Sequence, residues 1–241
     1  MKLKVRRVSA VASVLIATLI WILLNPASYE EIFTKAEESE TLDFSAEAVS
    51  QAGENDKKAV DVLNELEVKG RAPKTGYDRK EFYDGWPTIE GCSLRQKIIK
   101  REFGESAVLD GCNVVKGEYD EPYTGEHRVF KEKAEIAKIQ IDHVVALSDA
   151  WQKGAQNLAK EKRYEIATDP LNLIAVDGKA NQKKSDGDAA TWLPANKRFR
   201  CQYVARQVSV KKKYQLWVTE AEKKAILKVL ENCPNEPALG L

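Results

Sequence analysis

The sequence predicts an α+β fold: a helix-rich single domain with two strands and a helix at its centre, behind an N-terminal export segment. Three observations predict it. Residues 137–145 alternate and then turn apolar, and 171–176 is a short apolar run ending at Asp177-Gly178, both strand signals. The stretch 179–185 has helical character, with Asp177 placed to cap it. On either side, 93–103 and 204–230 read as helices, the latter with a break around Trp217-Val218. A chain of 241 residues with 43% hydrophobic content buries a good core, most simply as one domain with extensions.

In chain order, Lys2, Lys4, Arg6 and Arg7 precede a charge-free apolar run at 8–24. That is the pattern of a signal peptide, and the run is also long enough for a tilted bilayer span. Residues 1–27 are therefore expected to be a signal peptide or a membrane anchor with positive-inside orientation. The body is expected outside the cell, secreted or tethered to the outer face of the membrane. Residues 28–66 form an acidic tether, low in large apolar side chains until Ala59, Val62, Leu63 and Leu66 recur at helical spacing. The main domain is expected to occupy 67–241. Gly70, Pro73 and Gly76 end the short helix. A hairpin is expected across 111–115 and 128–130, with Asp120-Glu121-Pro122 and Thr124-Gly125 as turn chemistry. From 147 to 164 the character is helical, interrupted near Gly154.

The formal net charge is only +1, but its distribution is uneven. Residues 178–214 hold ten basic side chains against Asp186 and Asp188, the footprint of a polyanion binder. Lys183, Lys184, Lys197, Arg198 and Arg200 are the candidates to grip a nucleic-acid backbone, where contacts position without reading sequence. Lys211 to Lys213 read as surface, and Trp151 and Trp192 as core or rim packing. Cys92, Cys112, Cys201 and Cys233 are an even set in an exported chain, so two disulfides are expected over a zinc site. Three pairings are open; Cys92 with Cys112 and Cys201 with Cys233 are favoured because each closes a local loop.

The chemistry concentrates at Ile141 to Trp151, I-D-H-V-V-A-L-S-D-A-W, which contains one of the chain's two histidines. Folding the two strands together and laying the helix across them would join Asp142, His143 and Asn181. Imidazole has the pKa suited to deprotonating water near neutral pH. Asp and Asn offer hard oxygen ligands for Mg²⁺ or Mn²⁺. Adjacent strand residues point to opposite faces, so Asp142 and His143 must sit where the strand ends or bends. His127, between Glu126 and Arg128, reads as a hairpin surface residue without a role.

The segments I-D-H-V-V-A-L-S-D-A-W, D-P-L-N-L-I-A-V-D-G-K-A-N-Q-K-K-S-D, W-L-P and R-C-Q-Y-V resemble the exported HNH endonucleases, of the ββα-metal or His-Me finger fold. The lead-in V-K-G-R-A-P-K-T-G-Y and G-C-S-L-R-Q resemble that family too, and the likeness spans about 67–233. Asn172 and Asn181 stand at the nine-residue spacing such motifs show. The resemblance implies His143 as general base, Asp142 and Asn181 as ligands of one divalent cation, Mg²⁺ or Mn²⁺, and Asn172 as a structural residue of the loop bearing the base. It further implies cleavage leaving a 5′-phosphate. Ser93-Leu94 departs from the family's lead-in, and Arg95 is the candidate clamp for the scissile phosphate.

The expected activity is thus hydrolysis of nucleic-acid phosphodiesters, DNA favoured, with little sequence specificity and no organic cofactor. A noncatalytic exported module binding DNA or a cell-wall polyanion through the basic region is the second reading.

Overall fold

The structure is a computed structural model and describes residues 57–240; the expected export segment and most of the acidic tether lie outside these residues. Helix α1 (Ala59–Glu65) opens the described chain. Two short strands, β1 (Thr88–Ile89) and β2 (Cys92–Ser93), pair antiparallel and lead into α2 (Leu94–Phe103). A three-stranded antiparallel sheet follows: β3 (Val108–Asp110), β4 (Asn113–Asp120) and β5 (His127–Phe130). Then come α3 (Lys133–Ile136), β6 (Gln140–His143), α4 (Leu147–Gln152), α5 (Lys160–Thr168), β7 (Leu173–Val176) and α6 (Gly178–Lys184). Helices α7 (Arg200–Lys213) and α8 (Glu220–Leu230) complete the fold.

Strands β6 and β7 pair antiparallel, with Gln140 opposite Val176 and His143 opposite Leu173. Their alternating side chains enter two different cores. Ile174 and Val176 join Tyr203, Val204 and Val208 of α7, whereas Ile141, Leu173 and Ala175 join Leu94, Ile98 and Ile99 of α2. Both faces being covered, all four residues of β7 are buried, which is why it reads as an unbroken apolar run. The chain then turns directly into α6, whose first turn is capped by the Asp177 carboxylate accepting from Ala180 N at 2.8 Å. A strand–strand–helix unit therefore stands where the spacing placed it.

Three sequence expectations change in detail. Ala59, Val62 and Leu63 of α1 are fully buried with α7 and α8, so this helix belongs to the main folded unit rather than to a tether ending at 66. The expected hairpin is a three-stranded meander. Gly111 has φ +57°, a left-handed conformation that suits glycine, so residues 111–112 turn between β3 and β4 instead of beginning a strand. Lys211 is buried against Asp149 and Glu222 rather than lying on the surface. The interruption near Gly154 has a clear cause: φ is +122°, and a Cβ there would stand 3.1 Å from the Trp217 ring. Trp151 packs in the core and Trp192 at its edge, as expected.

The disulfides are Cys92 to Cys112 and Cys201 to Cys233. The first ties the entrance of α2 to the β3–β4 turn. The second ties the start of α7 to the segment beyond α8.

Candidate active site

Strand β6 ends at His143, as the opposed side chains of Asp142 and His143 require. On one face, the Asp142 carboxylate accepts from the Tyr123 hydroxyl and from Lys184 Nζ at 3.1 Å. On the other, the His143 ring stacks on Trp86 (centroids 6.1 Å) and meets Tyr83 (5.8 Å). Both residues line one cleft of about 340 Å³, with Asn181 and Gln140 beside them and Lys74, Tyr77, Arg79, Ser148 and Asp186 around it.

The imidazole is held in one tautomer. His143 Nε2 lies 2.9 Å from the carbonyl oxygen of Ala167, an acceptor only, so Nε2 carries the proton. Nδ1 then holds the free lone pair, the atom a general base needs. Burial pushes the imidazole pKa down to about 3, aided by the positive charges of Arg79 and Lys184 and opposed by the Ala167 hydrogen bond. His143 is therefore neutral throughout the physiological range, with Nδ1 unprotonated.

Asn172 fixes the chain that leaves the histidine. Its Oδ1 accepts from Val145 N at 2.8 Å, and its Nδ2 donates to Val145 O (3.3 Å) and Ile166 O (3.0 Å). Its backbone carbonyl also accepts from Val144 N at 2.8 Å. One fully buried side chain thus holds the loop after β6 to the end of α5.

Asn181 Nδ2 donates to Gln140 Oε1 at 2.9 Å, which commits its amide nitrogen and leaves Oδ1 as its acceptor. Asp142, with four lone-pair sites and, among the described residues, polar side-chain contacts from Tyr123 and Lys184, keeps acceptor capacity as well. These hard oxygens, with neither thiolate nor second imidazole beside them, fit Mg²⁺ or Mn²⁺ better than zinc. With Lys184 already neutralising Asp142, they fit a weakly held, largely hydrated ion.

Other predicted residues go elsewhere. Arg95 donates from Nη2 to the carbonyls of Ile139 (2.8 Å), Ile136 (3.2 Å) and Ala137 (3.4 Å), staying half-buried beneath the entrance to β6 and outside the cleft. Its guanidinium braces the chain at the end of α3, sharing the Ile136 carbonyl with the backbone N–H of Ile139. Lys184 is buried on Asp142 and on the His143 carbonyl (2.9 Å), so it is not a solvent-facing grip for a polyanion. Lys183 is exposed in a separate depression with Thr124 and Trp192. Lys197 and Arg198 lie exposed in the turn before α7, while Arg200 Nε is bound to Pro194 O at 2.8 Å. None of these lines the cleft.

Residues unassigned from the sequence fill its walls instead. Lys74, Tyr77 and Arg79 come from the irregular lead-in, where no periodicity marks a functional face. Tyr123 was visible only as part of a turn. Its backbone N–H, with those of Thr124 and Asp177, is held by the fully buried Glu121 carboxylate, which carries the Tyr123 ring beneath Asp142. His127 sits exposed on Asp120, outside the cleft.

A family model described as "GmrSD restriction endonucleases, C-terminal domain" matches residues 94–229, which include Asp142, His143, Asn172 and Asn181. The chain belongs to that family. As a GmrSD C-terminal family member it carries the HNH-type kinship its motifs suggested. It is also 35% identical over 179 residues, 73% of this chain and 84% of the relative, to an "Uncharacterized secreted protein" of Arthroderma benhamiae. No solved structure matches. The secreted relative and the two disulfides are consistent with an extracellular location for this GmrSD-family chain. Among the described residues, no helix is long and apolar enough to cross a membrane.

Proposed function

We propose that the protein is an exported, metal-dependent endonuclease of the HNH type that hydrolyses nucleic-acid phosphodiesters, DNA favoured, with little sequence specificity. Family membership supports a nuclease. The observation that carries the mechanism is the His143 tautomer, with Nε2 donated to Ala167 O and Nδ1 left as a neutral base at the cleft.

In this reading His143 Nδ1 takes a proton from a water molecule. The water oxygen bonds to phosphorus as the bond to the 3′-oxygen breaks, and that oxygen is protonated from solvent, leaving a 5′-phosphate on the other fragment. An approaching phosphate brings negative charge into the cleft, opposes the cationic field at the imidazole and raises its affinity for the proton. Asp142 and Asn181 would hold the cation, which when bound would polarise the phosphate and stabilise the departing oxygen. Tyr123 and Lys184 fix the Asp142 carboxylate, and Asn172 fixes the loop after the base. Lys183, Lys197 and Arg198 would contact the polymer at a distance from the scissile bond.

The test is incubation of the disulfide-intact chain with plasmid DNA in Mg²⁺, in Mn²⁺ and in EDTA, beside His143→Ala. Cleavage that needs both metal and histidine is expected, with plasmid binding retained by the variant. Full cleavage by His143→Ala would refute the assignment. Salt-sensitive binding without cleavage in either metal would support the noncatalytic polyanion-binding module.

A further inference from the structure

We propose that Arg79 is a catalytic residue that clamps the non-bridging oxygens of the scissile phosphate, the role the sequence had suggested for Arg95. The proposal rests on the nuclease reading and names the residue that binds its substrate.

The charges around the cleft carry it. Asp142 is met by Lys184, and Asp186 by Lys74 at 3.0 Å and by the Ser148 hydroxyl at 3.1 Å. Arg79 lines the same cleft, and among the described residues it has no carboxylate partner. Its hydrogen bond is from Nη2 to the Tyr83 hydroxyl at 2.6 Å, and its guanidinium lies 5.2 Å from the centre of the Tyr83 ring. A guanidinium has five N–H donors in a planar fork that matches a phosphate. Most of that fork is therefore uncommitted, beside a cleft whose other charges are already balanced.

Its mounting suits the task. Arg79 begins a single 3₁₀ turn, Arg79–Glu81, capped by the Asp78 side chain accepting from Lys80 N at 2.8 Å. Arg163 anchors the end of that turn, donating to Glu81 O at 2.9 Å and Glu81 Oε2 at 3.0 Å. The side chain then runs along Tyr83, whose ring is 5.8 Å from that of His143. The cation is thus near the base without touching it, where a phosphate attacked by a His143-activated water would lie. Charge builds on the non-bridging oxygens as attack proceeds, and a preorganised donor aimed there acts on the transition state more than on binding.

The test measures kcat and KM on a fluorescent oligonucleotide for wild type, Arg79→Ala, Arg79→Lys and Arg95→Ala, with added guanidinium. Arg79→Ala is expected to lose about 10²–10³-fold in kcat. Lysine should restore part of that, and millimolar guanidinium should rescue Arg79→Ala but not His143→Ala. Arg95→Ala should keep its kcat. A kcat for Arg79→Ala within threefold of wild type, or a loss confined to KM, would overturn the clamp while leaving the nuclease reading intact. A wild-type chain that cleaves no nucleic acid under any metal would overturn both.

Discussion

Lys153 offers a direct test of what holds the walls of the cleft together. Its ammonium is fully buried, 2.7 Å from each of Asp149, Asp188 and Glu222. Arg71 also reaches Asp149 (3.1 Å) and Asp188 (2.8 Å), and Lys211 reaches Glu222 (2.7 Å) and Asp149 (3.3 Å). Three cations thus balance three carboxylates. At Asp149 Oδ1 and Glu222 Oε1 the cations stand at ion-pair distance but off the hydrogen-bond angle, so those contacts are mainly Coulombic. Burial alone would raise the Asp188 pKa, yet its bonds to Lys153 and Arg71 hold it down at about 2. Lys153→Met keeps much of the side-chain volume and removes the charge, leaving three buried carboxylates with two cations. Removing one partner of a buried charge pair costs about 3–5 kcal/mol. At roughly 2–4 °C per kcal/mol for a domain of this size, the melting temperature should fall by about 6–20 °C. Calorimetry at pH 7.5 with the disulfides intact reads this directly. In the variant a carboxylate's folded pKa rises above its unfolded value. The deficit should therefore be greatest at high pH and shrink as pH falls toward 5. A variant melting within about 2 °C of wild type at pH 7.5, against the drop set by its buried charge, would refute this account. Because Arg71 leads toward Lys74 and Arg79 while Asp188 follows α6, the same loss should reduce cleavage below the melting temperature.

Two further outcomes follow from the site. The folded His143 pKa lies below its unfolded value of 6.5, so the neutral buried ring becomes a liability in acid. Stability should decline as pH falls below 6.5, by up to about 1.4 kcal/mol per pH unit from this residue until the pH approaches 3, and His143→Ala should flatten that slope. Equal slopes in denaturant titrations of the two proteins would contradict the buried neutral imidazole. Arg95→Ala removes a guanidinium from three carbonyls and should cost about 1.5–3 kcal/mol in thermal or chemical unfolding, with the salt dependence of DNA binding unchanged. A reduced salt slope would instead make Arg95 a phosphate contact, as the clamp expectation had it.

What could be read from the sequence was local. The alternation before His143, the apolar run of β7 and the Asp177 cap fixed a strand, a strand and a helix in that order. Antiparallel pairing of such strands, with the helix following at once, brings Asp142, His143 and Asn181 to one cleft. Even the need for a strand end at His143 followed from the pleat. The meander departs from the expected hairpin at Gly111-Cys112, because glycine's tolerance of positive φ is expressed only where the chain turns back.

The sequence by itself determined the two strands and the helix that carry Asp142, His143, Asn172 and Asn181, because those elements follow from short-range periodicity and capping. Only the tertiary structure decided what the long cationic side chains do. Arg95 went to a helix end, Lys184 to Asp142, Lys211 to Asp149 and Glu222, and Arg79 to the cleft, with partners up to 62 residues away in the chain. A lysine or arginine has a flexible apolar stem and a charge that is satisfied wherever an acceptor arrives. Its role is therefore set by packing between distant segments rather than by its neighbours in sequence.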